Sequence, residues 1–159
     1  MKELDFKRRF RARLAEGGNW TDAFEPAYGT TMGCPDIAVQ FDKFQVVLDG
    51  PARLAQVKPI VFCELKVGAI VDGGQLKVTV IRPAQYSWHR VFTASGGVCC
   101  FVVGVGGPKS WKAFVLKGMD AKRFGEFNKN GIVRKDEYKD WPEKLSLRNY
   151  IEMREWARA

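Results

Sequence analysis

The 159-residue sequence predicts a single α/β domain, and three stretches of it support this fold class. Val98 to Val105 is an uninterrupted apolar run, the pattern of a central strand that is covered on both faces. Ile60 to Val67 is a second apolar run of strand length. Between them, Pro83 to about Ser95 has the proline start and the apolar spacing of a helix. A chain of this length has enough interior for one sheet and its covering helices.

The chain begins with a predicted amphipathic helix from about Glu3 to Ala15, ended by Gly17 and Gly18. Its apolar stripe is predicted to consist of Leu4, Phe6, Phe10 and Leu14. Its other face carries the cations Lys2, Lys7, Arg8, Arg9, Arg11 and Arg13. Such a face is either simply solvated or lies along a phosphate backbone. The charge of the whole chain favours DNA contact, and Arg8, Arg9 and Arg11 are the candidate contacts.

The next segment is predicted to be extended from Trp20 to Glu25 and to form a loop from Pro26 to Gly33. This loop is rich in small and hydroxyl-bearing residues, which suit close approach to a phosphate. Tyr28, Thr30 and Thr31 are therefore candidate DNA contacts, and an ordinary turn is the alternative.

A hairpin is predicted next, with a strand from Ile37 to Phe41 that turns into a second strand from Phe44 to Leu48. Two insertions surround the strand that begins near Ile60. Ala52 to Pro59 precedes this strand, and Gly68 to Lys77 follows it as a flexible, glycine-containing loop.

The helix from Pro83 presents one face to the sheet. Gln85, Trp88, His89 and Phe92 lie at i, i+3, i+4 and i+7. His89 is the only histidine of the chain, and we interpret it as a packed residue rather than a general base.

The C-terminal part is predicted to contain a strand from Trp111 to Leu116 and a helix from Met119 to Phe127. A turn at Asn128 to Gly131 and a weakly patterned polar segment follow. A last helix runs from Leu147 to Ala157, with Ser146 as its N-cap.

The strand from Ile60 carries two charges that need an explanation. Glu64 and Lys66 are two residues apart and therefore lie on the same face of the strand. Burying an ionised group costs several kcal/mol unless it is paired or bound to a metal. Asp36 follows Pro35 at the head of another apolar strand. If these strands are neighbours, two carboxylates and one ammonium converge, and two carboxylates can hold a hard divalent cation.

This pattern resembles the PD-(D/E)xK nuclease superfamily, whose motif is matched by Pro35-Asp36 and Glu64-Leu65-Lys66. The glutamine found in many members is matched by Gln85. The resemblance implies a restriction-endonuclease-like α/β fold, with a mixed central sheet of about five strands flanked by helices.

Within that superfamily, two stretches resemble archaeal-type Holliday junction resolvases and related phage and VRR-type nucleases. They are Arg82 to Tyr86 and Ser95 to Val105, and the similarity covers roughly Leu4 to Phe124. The implied activity is magnesium-dependent cleavage of DNA, in recombination or repair, with Mn²⁺ able to substitute for Mg²⁺.

The resemblance also implies roles for the residues of the motif. Asp36, Glu64 and the backbone carbonyl of Leu65 would bind the metal, Lys66 would orient and help deprotonate the attacking water, and Gln85 would support the site. A third acid is expected. Glu25 is the first candidate, and Glu3 and Asp5 follow it.

Composition supports a polyanionic partner and argues against other site classes. The net charge is +8 and the sequence pI is about 9.5, which favours nucleic acid. The four cysteines form no CxxC pair, so we expect free core thiols and no zinc site at Cys34, Cys63, Cys99 and Cys100. No apolar run approaches the roughly 20 residues of a membrane span, and no signal peptide is evident. We therefore expect a cytoplasmic protein.

Two alternatives to a junction resolvase remain. One is a repair or restriction-type nuclease of the same superfamily acting on flaps, ends or linear duplex. The other is a basic DNA-binding module without chemistry. The resolvase hypothesis further predicts a homodimer, because two symmetric cuts need two sites. Trp141, Tyr150, Ile151 and Trp156 either form that interface or complete the core of the monomer.

Overall fold

The computed structural model describes residues 1–16, 20–23, 35–40, 60–142 and 147–158. Several predicted features lie outside the described residues: Glu25, Tyr28, Thr30, Thr31, Cys34, the strand from Phe44 to Leu48, the insertion from Ala52 to Pro59, and Ser146.

The described residues form helices on a mixed β-sheet. The helices are α1 (Glu3–Glu16), α2 (Pro83–Ala94), α3 (Ala121–Asn130) and α4 (Leu147–Arg158). The strands are β1 (Trp20–Ala23), β2 (Ile37–Gln40), β3 (Ile60–Val71), β4 (Gln75–Val78), β5 (Cys99–Gly106), β6 (Trp111–Leu116), β7 (Ile132–Val133) and β8 (Tyr138–Asp140). The main strand order is β1-β2-β3-β5-β6-β8, with β4 paired to β3 and β7 paired to β4.

The predicted α/β fold class is confirmed, with more strands than expected. The described sheet has eight strands rather than about five. The strand β1 lies in the segment predicted to be extended from Trp20. The strands β4, β7 and β8 are two to four residues long, which is too short for hydrophobic periodicity to identify them.

The position of β3 in the sheet determines where the charged residues lie. It pairs antiparallel with β2, with Ile37 opposite Cys63. On its other side it pairs parallel with β5, with Glu64 opposite Phe101. The parallel connection between β3 and β5 contains α2, as a crossover in the same sheet requires. The strand β2, which follows Asp36, and the strand β3, which carries Glu64 and Lys66, are therefore neighbours.

One hydrophobic core lies between the sheet and the helices α1 and α4. Phe6, Phe10 and Leu14 of α1 are buried in it, together with Met153 of α4. The prediction that Leu4 belongs to the same stripe is wrong, because Leu4 is 77% exposed. The buried residues repeat every four positions, and Leu4 lies two residues before Phe6, about 200° away around the helix.

Gly104 of β5 lies directly beneath Phe6. A Cβ atom built at this glycine would lie 2.3 Å from Cδ2 of the Phe6 ring. Both residues are buried, so the ring has little room to move. The close packing of α1 on the sheet therefore depends on a residue without a side chain at this position.

Gly104→Ala is expected to lower the free energy of unfolding by about 1–3 kcal/mol, because the added methyl group overpacks the core. Chemical denaturation would measure this change. The matched control is Gly125→Ala in α3, where a Cβ meets nothing within 4 Å. The control should be neutral or stabilising by up to about 1 kcal/mol, since alanine favours helix. Equal effects of the two substitutions on the free energy of unfolding would contradict the close packing of Phe6 on Gly104.

A second core lies on the opposite face, where α3 covers the sheet. Tyr86 of α2 stacks on Phe124 of α3 with ring centroids 3.9 Å apart. The predicted end of α3 at Phe127 is wrong, because the helix continues to Asn130. It ends at Gly131, whose φ of 69° is a left-handed conformation that favours glycine.

The prediction of a flexible loop from Gly68 to Lys77 is also wrong. The strand β3 continues through this stretch to Val71, turns at Asp72–Gly74 and returns as β4. Leu76 of β4 is fully buried in the second core. This burial fixes the hairpin to the body of the protein.

The polar segment after α3 contains two short strands and a buried carboxylate between them. Glu137 accepts hydrogen bonds from the side chains of Arg123 and Arg134 and from the backbone N–H of Arg134. Burial alone would raise the pKa of Glu137, but these hydrogen bonds outweigh it and lower the pKa to about 2.

Glu137→Gln is expected to cost about 1–3 kcal/mol of stability at neutral pH, because it removes the charge that both arginines contact. A carboxylate whose pKa is lowered on folding stabilises the protein above the pKa of its unfolded state. That contribution should therefore disappear as the pH falls from about 4.5 to about 2. Urea denaturation of wild type and variant over this pH range would test it. Glu152→Gln, in the exposed pair with Arg148, should show little effect at any pH.

Two tryptophans near the C-terminus pack within the monomer, whereas the side chain of Tyr150 is not among those that the structure describes. The Trp141 ring contacts the Phe10 ring edge-on at 5.1 Å, and Trp141 is buried. Nε1 of Trp156 donates a hydrogen bond to the carbonyl oxygen of Val115 at 3.2 Å. Of the two alternatives for these tryptophans, the structure therefore supports packing within one chain. Ile151 is exposed.

Free core thiols are confirmed for Cys63 and Cys100, which are both buried, and Cys99 is buried as well. None of the described helices is both long and apolar enough to cross a lipid bilayer.

Candidate active site

The structure brings Asp36 and the β3 charges together at the point where β2 begins. Oδ2 of Asp36 accepts a hydrogen bond of 2.8 Å from the backbone N–H of Leu65. Ile37, the first residue of β2, lies opposite Cys63 of β3. Asp36 immediately precedes Ile37 and therefore faces the residues of β3 that follow Cys63. The convergence predicted from the two motif halves is thus a feature of the fold.

Glu64 and Lys66 point to the same face of β3 and are nearly inaccessible, at 2% and 5% exposed. Nζ of Lys66 lies 3.1 Å from Oε1 of Glu64. The side-chain amide of Gln85 donates a hydrogen bond to the same Oε1. One oxygen of the Glu64 carboxylate is therefore fixed from two directions.

Gln85 is itself held by the start of α2. Its Oε1 accepts a hydrogen bond of 2.9 Å from the backbone N–H of Arg82, the N-cap of the helix. Gln85 is the third residue of that helix, the position from which a glutamine reaches back to the cap. Its amide group is thereby oriented with the oxygen toward Arg82 and the nitrogen toward Glu64.

The electrostatic environment disfavours an isolated charge on Glu64. Burial raises the pKa of its carboxyl to about 8, and the charges of Asp36 and Glu3 act in the same direction. Lys66 opposes them and lowers this pKa. A bound cation would act in the same direction as Lys66, because an opposite charge favours the ionised carboxylate.

The N-terminal turn of α1 lies next to this site. Nζ of Lys7 is 3.6 Å from Oδ1 of Asp36. Glu3 is one helical turn before Lys7, and its charge raises the pKa of Glu64. Asp5 instead pairs with Arg8, at 3.5 Å. Among the described candidates for a third acid, Glu3 is the one whose charge acts on the site.

Lys7 lies at the candidate site, although no motif in the sequence indicated this. It was grouped with the basic face of the helix. Its spacing of four residues from Glu3, which places both on one side of α1, was the available signal.

The donor atoms suit a hard cation but do not form a complete ligand set by themselves. Among the residues that the structure describes, no three acidic, histidine or cysteine side chains form a metal-binding group. However, Oε2 of Glu64 is buried and has no hydrogen-bond partner in the described part of the chain. A buried carboxylate oxygen without a partner is costly, and a cation would satisfy it. The residues present therefore fit Mg²⁺.

His89 is packed beneath the site, as predicted. Its ring stacks on Phe101 with centroids 3.9 Å apart. Burial lowers the pKa of His89 to about 3, and the nearby charge of Lys66 lowers it further. A histidine with so low a pKa is a poor general base at neutral pH. Beside it on α2, Trp88 and Phe92 contact Phe62 edge-on.

The candidate DNA contacts on α1 differ in their surroundings. Arg8 is exposed, whereas Arg9 and Arg11 are half-buried. Arg13, on the same helix, lies over the Trp111 ring at 3.4 Å and so stabilises the monomer. DNA contact by Arg8, Arg9 and Arg11 remains a prediction.

No protein-family model and no curated protein matches the chain. Among solved structures, the chain is similar to that of Hjc, a Holliday junction resolvase from Archaeoglobus fulgidus, an archaeal hyperthermophile. The two are 14% identical in sequence, with a TM-score of 0.41. The match covers 77% of this chain and 92% of the resolvase chain.

Proposed function

We propose that this protein is a metal-dependent endodeoxyribonuclease that hydrolyses phosphodiester bonds, and that its substrate is branched DNA of the Holliday junction type. The observation that carries this proposal is the arrangement around Glu64. One carboxylate oxygen is held by Lys66 and Gln85, and the other is buried near Asp36 with no hydrogen-bond partner among the described residues.

The side chains of Asp36 and Glu64 would hold the cation, and the carbonyl oxygen of Leu65 would complete the protein ligands on β3. A Mg²⁺ ion bound there would lower the pKa of its water and neutralise charge that develops on the phosphate. The hydrogen bond from the Leu65 N–H to Asp36 fixes one carboxylate relative to β3. Gln85 fixes the other. Both carboxylates are thus oriented before a metal ion binds.

Lys66 would orient the attacking water, and only as a neutral amine could its nitrogen also accept the proton of that water. Its ammonium group lies at the site, 3.1 Å from Glu64, and it has little freedom because it is buried. A positioned group of this kind typically contributes about 10²- to 10⁴-fold to a rate.

The positive charge of the chain supports DNA as the substrate. A net charge of +8 favours a polyanion, and Arg8 presents an exposed cation on the helix that carries Glu3 and Lys7. Symmetric cleavage of a four-way junction requires two such sites, so we further propose a homodimer.

The test is a substrate panel in Mg²⁺ and in Mn²⁺, with a four-way junction, a flap and linear duplex of the same sequence. Light scattering at micromolar concentration would accompany it. Symmetric cleavage of the junction by a dimer is expected. A monomer that cuts flaps or ends and leaves junctions intact would contradict the resolvase assignment and leave the nuclease assignment standing. No cleavage of any substrate would contradict both.

The third acid can be identified by neutral substitutions of equal size. Glu3→Gln is expected to weaken Mg²⁺ binding and cleavage by about 10- to 100-fold, the range seen when a group that supports a metal site is lost. Asp5→Asn is the matched control, because Asp5 pairs with Arg8 instead. Titration calorimetry with Mg²⁺ and a cleavage assay would measure both. If Glu25→Gln loses Mg²⁺ binding and cleavage and Glu3→Gln does not, the third acid is Glu25, in the segment before β2.

A further inference from the structure

Each of the two carboxylates at the candidate active site is paired with a lysine of its own. Nζ of Lys7 lies 3.6 Å from Oδ1 of Asp36. Nζ of Lys66 lies 3.1 Å from Oε1 of Glu64. When both acids are ionised, the two ammonium groups balance their negative charges. A divalent cation that enters the site therefore meets no net negative charge on these four side chains, and both ammonium groups repel it.

The two lysines differ in their freedom to move. The side chain of Lys66 is 7% exposed, and its nitrogen is within hydrogen-bond distance of Glu64. The side chain of Lys7 is 22% exposed, and its contact with Asp36 is an ion pair longer than a hydrogen bond. Ion pairs near the surface contribute little to stability. Lys7 can therefore leave its carboxylate at small cost, whereas Lys66 is confined to the site.

The orientation of Asp36 puts Lys7 and a cation in competition for one oxygen. Oδ2 of Asp36 accepts the hydrogen bond from the backbone N–H of Leu65. That bond orients the carboxylate, and Oδ1 is the oxygen that Lys7 contacts. A metal ion at Oδ1 and an ammonium group at the same atom repel each other, because both are positively charged. Binding of the metal to Asp36 is therefore expected to drive the Lys7 side chain away.

The backbone of α1 keeps Lys7 beside the site while its side chain moves. Phe6, the preceding residue, is fully buried and packs over Gly104. The ammonium group of Lys7 stands on a flexible four-carbon stem, so it can change partner without movement of the helix. Arg8, the next residue, is exposed. This turn of α1 therefore leads from the candidate site to the basic surface of the helix.

A phosphate of the substrate is the nearest new partner for a displaced Lys7. In the proposed function, the cation held at Asp36 and Glu64 contacts a phosphate oxygen of DNA. Lys7 lies at ion-pair distance from Asp36, so its ammonium group can reach that phosphate or a neighbouring one. An ammonium group binds phosphate as a point charge. The ion pair with Asp36 would thus be exchanged for an ion pair with DNA.

We propose that Lys7 is the counter-ion of Asp36 in the metal-free site, that a divalent cation displaces it, and that its ammonium group then binds a phosphate of the DNA. This inference rests on the proposed function of the site. It makes the binding of metal and DNA cooperative, because metal frees Lys7 for DNA, and DNA that holds Lys7 clears Asp36 for the metal. Lys7 is thus a positioning residue that couples the two ligands.

Titration calorimetry of the full chain with Mg²⁺, in the absence of DNA, tests the competition. Lys7→Met keeps most of the aliphatic stem and removes the charge. It is expected to bind Mg²⁺ about threefold to tenfold more tightly than wild type, the effect of removing a like charge about 4 Å from a partly solvated cation. Damage to α1 would weaken metal binding instead. The sign of the change therefore separates competition from a structural role.

DNA binding with and without a divalent cation tests the coupling. Fluorescence anisotropy with a four-way junction is measured in EDTA and in Ca²⁺, which prefers the same kind of oxygen ligand as Mg²⁺. Ionic strength is held constant, and the DNA is checked for integrity on a gel. Wild type should bind DNA more tightly in Ca²⁺ than in EDTA. Lys7→Met should lose about threefold to tenfold of this gain, because a coupling free energy acts equally on both ligands.

Two variants of the same turn of α1 serve as controls. Lys7→Arg keeps the positive charge and should retain both the Mg²⁺ affinity of wild type and the gain in DNA affinity. Arg8→Met removes the neighbouring exposed cation, which pairs with Asp5 at 3.5 Å. It should weaken DNA binding to the same extent in EDTA and in Ca²⁺ and leave the Mg²⁺ affinity unchanged.

The outcomes distinguish failure of this inference from failure of the nuclease assignment. Equal or weaker Mg²⁺ binding by Lys7→Met, beside normal cleavage of DNA by wild type, would overturn the role of Lys7 alone. An equal gain in DNA affinity from Ca²⁺ in wild type and Lys7→Met would do the same. Tighter Mg²⁺ binding and a smaller gain in the variant, without cleavage of any substrate by wild type, would support the role of Lys7 and contradict the nuclease assignment. Wild-type protein that binds no Mg²⁺ would overturn both.

Discussion

Glu64→Gln is expected to reduce Mg²⁺-dependent cleavage of DNA by about 10³-fold or more, equivalent to about 4 kcal/mol of transition-state stabilisation. Glutamine has the shape of glutamate and can keep the contact with Gln85. It lacks the negative charge that would hold the cation at the buried Oε2 position, which has no partner in the part of the chain that the structure describes. Titration calorimetry should accordingly show weak Mg²⁺ binding, and Asp36→Asn should have the same two effects.

The fold should survive the Glu64 substitution, which separates loss of a ligand from loss of structure. Burial already disfavours the ionised form of Glu64 and raises its pKa to about 8, so a neutral side chain should be tolerated. Thermal denaturation and DNA binding are expected to stay close to wild type. Glu126→Gln, an exposed substitution of the same kind on α3, should leave cleavage unchanged. Normal cleavage by Glu64→Gln and Asp36→Asn would refute the catalytic assignment.

Lys66→Met is expected to lower the rate of cleavage by about 10²- to 10³-fold, the range typical of a group that assists proton transfer. Methionine keeps most of the aliphatic stem and removes the ammonium group. The main effect should fall on the rate at saturating DNA, since Lys66 is buried at the candidate site and not on the exposed basic surface. Single-turnover kinetics would separate this effect from a change in DNA affinity.

Removal of Lys66 also takes away an interaction that lowers the pKa of Glu64. Weaker Mg²⁺ binding is therefore a second expected effect, which raising the metal concentration should relieve. Any rate deficit that persists at saturating Mg²⁺ measures the chemical role of Lys66. Lys112→Met, an exposed substitution on β6, is the control for loss of one positive charge. Full activity of Lys66→Met at saturating Mg²⁺ would restrict Lys66 to pairing with Glu64.

Glu64, Lys66 and Gln85 lie in local patterns that are visible in the sequence. The period of two along a strand places Glu64 and Lys66 on one face, whatever surrounds them. Gln85 follows a proline that starts a helix, and its position in the first turn allows it to reach back toward the cap. The motif halves could thus be identified without coordinates. Whether the two halves lie on neighbouring strands depends on the order of the strands in the sheet. Local sequence patterns do not indicate that order.

Residues that join the site from elsewhere could not be found in this way. Lys7 lies beside Asp36 and the charge of Glu3 acts on Glu64, although both are distant in sequence from β3, because α1 is docked on the sheet with Phe6 packed over Gly104. The direction in which a helix docks depends on such a fit between side chains of distant segments. Periodicity within the helix does not encode this fit, and Leu4 was assigned to the buried stripe for the same reason.

The hairpin formed by β3 and β4 could not be predicted from local sequence patterns either. Its glycines at positions 73 and 74 indicated a flexible loop, since glycine adds freedom to an unfolded chain. In the folded protein, the same glycines form a tight turn, because β7 and Tyr138 hold the returning strand in place. The sequence by itself determined the α/β class, the acid and lysine pattern of β3 and the helix that carries Gln85, all of which follow from local periodicity. The tertiary structure alone decided which strands are neighbours, which α1 residues lie beside the candidate site and that Gly68 to Lys77 forms a hairpin, because these depend on contacts between segments distant in the chain.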